Sequence, residues 1–222
     1  MQGEAADILQ GGAVLFGSST QIEGTEWQSL PDGLGYKLRP DQEIVARMHY
    51  LNASGAPITV TPRYAWYTID EANLTHLVSP FVWVFQGFEI PPKSELTVTG
   101  GCRIPEEMRL VNVLPHMHRL GTAFTADFLG GALDGQRFLD SQGYDPDRGV
   151  ILQYDPAIDL SQGDGVRFSC TWRNTFDKTI VEGIGDNEMC MMFGYSYPAE
   201  SAYSAIASGE NACIVVAAPA PQ

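Results

Sequence analysis

The sequence predicts an all-β protein, an antiparallel jelly-roll-like β-sandwich, and three observations carry that prediction. Hydrophobic residues make up 44% of the chain and charged ones only 18%, so there is enough apolar surface to form a core. The 23 glycines and 14 prolines fall between short apolar runs, where they punctuate strands. The runs themselves are rich in β-branched and aromatic residues and alternate in polarity, which is how a half-buried strand is written. A chain of 222 residues can bury a sizeable core in one large β-domain or two small lobes.

Taken in order, the predicted strands are "EIVARMHYLN" (43–52), "ITVTPRYAWYTI" (58–69), "ELTVTGGCRI" (95–104), "MRLVNVLPHMHRL" (108–120), "TAFTADFL" (122–129), "GVRFSCTWRN" (165–174), "EMCMMFGYSY" (188–197) and "ACIVVAA" (212–218). Turn clusters such as "NASGAP", "IPPKSE", "GGALDGQ", "YDPDRG" and "LSQGDG" separate them. Helix is minor: "AESAYSAIASG" (199–209) suits one short turn or helix, and "IDEANLTHL" fits either class.

Charge removes several function classes. With 13 basic against 27 acidic residues, a net charge of −14 and no Lys/Arg cluster, the chain has no footprint for nucleic acid or an anionic membrane. No apolar run has the length of a membrane span, and the opening "MQGEAADILQGG" lacks the pattern of an export signal. The four cysteines, Cys102, Cys170, Cys190 and Cys213, are an even set without a CxxC pair, which suits two disulfides and an oxidising compartment better than a zinc knuckle. Four buried thiols are the alternative.

Candidate chemistry concentrates in "VLPHMHRLGTAF" (113–124). Residues i and i+2 of a strand share a face, so His116 and His118 project side by side while Met117 points away. Two adjacent imidazoles make a metal ledge, although two ordinary hydrogen-bonded histidines would read the same. The candidate third ligand lies in "GDNEMCMMFGYSY" (185–197). There Met189, Met191, Phe193 and Tyr195 share one strand face, and Cys190 and Met192 share the other. A thioether is a soft, neutral ligand that suits Cu(I) and serves Zn(II) poorly, so a His2Met set selects copper. Methionine as adaptable core filler stays open at this point.

The order "LPHMHRLGTAF", then "GVRFSCTW", then "GDNEMC" resembles the catalytic half of the copper type II, ascorbate-dependent monooxygenases, the group of dopamine β-monooxygenase and peptidylglycine α-hydroxylating monooxygenase. The resemblance implies that His116, His118 and Met189 hold a copper that binds O2, and that a substrate C–H bond is hydroxylated with ascorbate or another one-electron reductant. It also implies the bridges Cys170–Cys190 and Cys102–Cys213. "ARMHYLN" resembles the segment carrying one of three histidines of a second, electron-supplying copper, which makes His49 the remnant of that site. The paired histidines that precede it in the family have no counterpart among residues 1–48. On this basis residues 1–55 are expected to be a partial segment of the first copper domain, and 56–222 the catalytic-type copper domain.

The family's peptide-amidating members hold a carboxylate with an arginine and a tyrosine, whose places are taken here by Leu114 and Phe193. A peptide ending in glycine is therefore not the expected substrate. The expected surroundings are a secreted or periplasmic setting, a small-molecule substrate with O2, and a partner chain supplying the second copper. A secreted copper-binding or interaction module without catalysis is the alternative function. A zinc or structural domain, with Met189 unligated, is a third.

Overall fold

The alternating runs of the second half find partners and become strands. In a computed structural model the described residues are 13–17, 25–46, 48, 50, 52, 54–104, 107–146, 151–162, 165–207, 209–210 and 213–217. The principal strands are β1 (Ser79–Phe85), β2 (Glu95–Arg103), β3 (Arg109–His116), β4 (Gly121–Leu129), β5 (Arg137–Gln142), β6 (Leu152–Asp159), β7 (Gly165–Arg173), β8 (Cys190–Tyr197), β9 (Ser204–Ala207) and β10 (Cys213–Ala217). They form a four-stranded sheet in the order β2-β7-β4-β5 and a six-stranded sheet in the order β10-β9-β1-β8-β3-β6. All neighbours are antiparallel except β9 and β1, which run parallel. The fold is thus an all-β sandwich, as the sequence predicts.

One core fills the space between the layers. Phe81, Trp83, Val113 and Met192 of the six-stranded sheet belong to the same buried cluster as Phe124, Phe168 and Trp172 of the four-stranded sheet. These positions alternate along their strands because only one side chain in two faces inward. A disulfide between Cys170 of β7 and Cys190 of β8 ties the two layers together, with Cα atoms 5.9 Å apart. A bridge of this kind fits an oxidising compartment. No helix among the described residues is long and apolar enough to cross a membrane.

The second expected bridge is corrected. Cys102 of β2 and Cys213 of β10 are thiols in side-chain contact with each other, beside Tyr203. That hydrogen bond, with burial behind it, raises the pKa of Cys102 and keeps the group protonated. Topology brings the two cysteines together because β10 closes the edge of the six-stranded sheet over β2.

The two earliest expected strands are corrected as well. The described residues of 43–52 and all of 58–69 carry no strand, and Ile58, Val60, Tyr64, Trp66 and Tyr67 are exposed. An alternating run becomes a strand only when a neighbour takes its backbone hydrogen bonds, and none of the described residues pairs with these runs. Among the described residues before β1, the strand pairing consists of Leu34–Gly35 running parallel to His76–Leu77. The segment 199–209 yields a single 3-10 turn, Ala199–Ser201, and then β9.

Candidate metal centre

Strand β3 ends at His116, so the two histidines do not share a regular strand as their spacing suggests. Met117 still turns inward, fully buried in the main core, and its backbone N–H donates to the Tyr144 hydroxyl at 2.9 Å. His118 lies beyond the strand end. Its ring nevertheless returns to His116, with centroids 5.3 Å apart and planes at 85°. The side-by-side placement survives for a different reason: the turn is held by a carboxylate instead of a ladder.

That carboxylate is Glu188, which sequence reasoning passed over. It is fully buried. One oxygen accepts the His118 backbone N–H and the other the Leu120 backbone N–H, both at 2.8 Å. Burial pushes its pKa up to about 7, against backbone hydrogen bonds from Leu120, His118 and Met189 that favour the charged form. The signal was present in "NEMC", where an acidic residue directly precedes the proposed ligand. In the sequence it reads as a turn residue, because its partners lie about 70 positions away.

The histidine rings are prepared as neutral donors. His118 Nδ1 lies 2.7 Å from the Asn187 carbonyl, so this nitrogen carries the proton and Nε2 presents its lone pair. Burial lowers the His118 pKa, more than the Asn187 contact raises it. His116 keeps part of its surface open although apolar neighbours surround it. Burial first, and the nearby His118 second, lower its pKa to about 3. Neither ring is an ammonium-like cation near neutral pH, which is the state a metal requires of imidazole.

The sulfur donors come from β8 and the residue before it. Met189 and Met191 belong to one cluster with Val82 and Val84 of β1, and Phe193 packs against it. This is the outer face of the six-stranded sheet. Register places Met191 directly across from His116, and Phe193 across from Leu114. The Phe193 ring meets the His116 ring edge to face, centroids 5.9 Å apart. Cys190 and Met192 point the other way, into the main core. The alternation read from the sequence thus holds for residues 189–195, with Tyr195 continuing the face in a neighbouring cluster with Val78 and Val111.

Two imidazoles and thioethers on one face suit a soft metal ion. No group of three or more His, Cys, Asp or Glu residues with metal-binding geometry occurs among the described residues, so a harder, anionic site is not offered here. His49 lies outside the described residues. His76, the remaining histidine, stacks on Tyr197 with ring centroids 4.8 Å apart.

Comparison with known proteins adds one finding. Residues 80–215, more than half of the chain, match the family model described as copper type II ascorbate-dependent monooxygenase, C-terminal domain. The match runs from β1 to β10 and so covers both sheets and the histidine turn. No curated protein matches the chain.

Proposed function

The chain belongs to the copper type II ascorbate-dependent monooxygenases through their C-terminal domain, and from that premise we propose that His116, His118 and Met189 hold one copper at which O2 is used to hydroxylate a substrate C–H bond. The observation that carries this reading is the pair of neutral imidazoles meeting edge to face above a methionine-rich sheet surface. Copper, when bound, supplies the one-electron chemistry that activates O2 toward a C–H bond.

The chain's own residues do the positioning. Glu188 fixes the backbone on both sides of Arg119, and the Asn187 carbonyl fixes the His118 tautomer. Met189 biases the site toward the reduced ion, because its sulfur is neutral and polarisable. Phe193 and Leu114 keep charge and water from the side of His116 that faces along the strands. We assign no protein acid or base to the reaction.

Hydroxylation that leaves the second oxygen atom as water consumes two electrons beyond those of the C–H bond, so a single one-electron centre must be refilled within turnover. We therefore assign the physiological reductant, ascorbate or another one-electron donor, to a partner chain or segment that carries the second copper. Residues 1–55, with His49, then act as the remnant that meets it. A secreted or periplasmic location follows from the same reading. The alternative, a copper-binding module without catalysis, is separated by one assay. Oxygen uptake with ascorbate is measured against product for a panel of small aromatic and aliphatic substrates. The proposal expects ascorbate-dependent uptake that is poorly coupled to product until the second centre is supplied. Copper binding with no uptake at all would leave the module reading standing and overturn the enzymatic one.

A further inference from the structure

The outer face that carries His116 continues along the strands into an apolar cleft, and this cleft is already occupied. One strand step from the His116/Met191 pair, Leu114 and Phe193 form its floor, and Gly194 and Tyr195 extend it. The segment Ala13–Gly17 lies across it. Val14 packs against the Met189, Met191 and Phe193 cluster, and the Tyr195 hydroxyl donates to the Leu15 carbonyl at 2.8 Å. The space left between this strap and the floor is about 10 Å³, no more than a single water needs.

One polar group in the cleft has no partner. Asn112 lines the cavity and is 1% exposed. Its Oδ1 accepts the Tyr195 backbone N–H at 3.0 Å, which fixes the orientation of the amide. Its Nδ2 is buried with no acceptor among the described residues. A buried donor left unpaired costs stability, commonly 1–3 kcal/mol, and such a group persists where a ligand completes it. Among the described residues no charged side chain lines the cleft; its other walls are Ile151, Phe16 and Gln28.

We propose that Asn112 is a specificity-determining residue of the substrate subsite formed by this cleft, its Nδ2 reading one hydrogen-bond acceptor on an uncharged molecule with an apolar body, and that the Val14–Gly17 strap occupies the cleft as a built-in competitor. The inference rests on the copper reading above for the identity of the neighbouring site, but its own geometry is independent of metal. The strap offers the cleft apolar side chains, while its Leu15 carbonyl accepts from the Tyr195 hydroxyl and leaves Asn112 Nδ2 to a ligand. A carboxylate or ammonium would meet no counter-ion among the described lining residues and would lose its hydration on entry, which disfavours it.

The test uses the full-length, metal-free chain and three probes of similar size: acetophenone, ethylbenzene and benzoate. Binding is followed by NMR at the Asn112 side-chain amide. Acetophenone should shift the Asn112 Nδ2 protons and bind more tightly than ethylbenzene, and benzoate should not bind. Val14→Asp, at the partly exposed strap, should tighten acetophenone binding about tenfold by releasing the competitor. Asn112→Leu removes the donor, so the preference for the ketone should vanish. An unmoved Asn112 amide, equal binding of benzoate, or no effect of Val14→Asp would overturn the subsite. Copper binding, measured separately on the same preparations, reports on the metal reading. If the ketone binds and copper does not, that reading fails alone; if copper binds and the ketone does not, the subsite fails alone.

Discussion

Glu188 shows how one buried side chain converts a sequence motif into a site. Two histidines spaced i, i+2 meet by themselves only within a strand, and here the strand stops at the first of them. The second is returned by two backbone hydrogen bonds to a single carboxylate. Glu188→Gln tests this arrangement, because an amide offers one acceptor oxygen where two N–H groups need one each. Groups that orient metal ligands from behind typically contribute about 10–100-fold in metal affinity. Competition titration with a Cu(I) chelator should show a loss of that size while circular dichroism keeps the β signature. Unchanged affinity would reduce Glu188 to a purely structural role.

Strands β3 and β8 place His116 across from Met191, and their fit depends on Gly194. A Cβ there would lie 2.3 Å from the Asn112 carbonyl oxygen and 2.7 Å from the Phe81 ring, next to the register shift at Tyr195 and Ser196. Backbone cannot yield as a flexible side chain can, so Gly194→Ala should destabilise the fold by about 1–3 kcal/mol. A lower urea midpoint at unchanged slope would report it; an unshifted midpoint would show that the strands slide apart at no cost.

Legibility at this scale followed burial. Strands with one buried face, such as Gly165–Arg173 with its alternation of buried and half-buried positions, were plain in the sequence. Ser79–Phe85 was not, because it is central and buried on both faces, and a continuous apolar run carries no period. Arg137–Gln142 and Leu152–Asp159 were missed for the opposite reason: they are edge strands, rich in polar residues, and the second contains Pro156. The proposed ligands could be named from the sequence because each falls in a short local motif. Glu188 and Asn112 were not, since their roles arise from partners about 70 to 83 residues away.

For the molecule as a whole, the two halves differ in how their apolar residues are covered. Trp83 and Trp172 are fully buried in the sandwich, whereas Trp27 and Trp66 are 66% and 53% exposed. Exposed aromatic residues gathered in one stretch of chain mark a surface made to be covered, in keeping with the partner proposed for the second copper. Acrylamide should therefore quench about half of the tryptophan emission of the isolated chain, and a chain that supplies the second centre should protect that half. Emission uniformly resistant to quenching would mean that residues 25–70 are already packed.

The central claim is the His2Met copper, and X-ray absorption of the Cu(I)-loaded protein tests it most directly. The account predicts one bound copper with two nitrogen scatterers from His116 and His118 and one sulfur scatterer, which Met189→Ala removes and Met191→Leu leaves in place. A best fit without sulfur, or a sulfur scatterer that survives Met189→Ala, would contradict it.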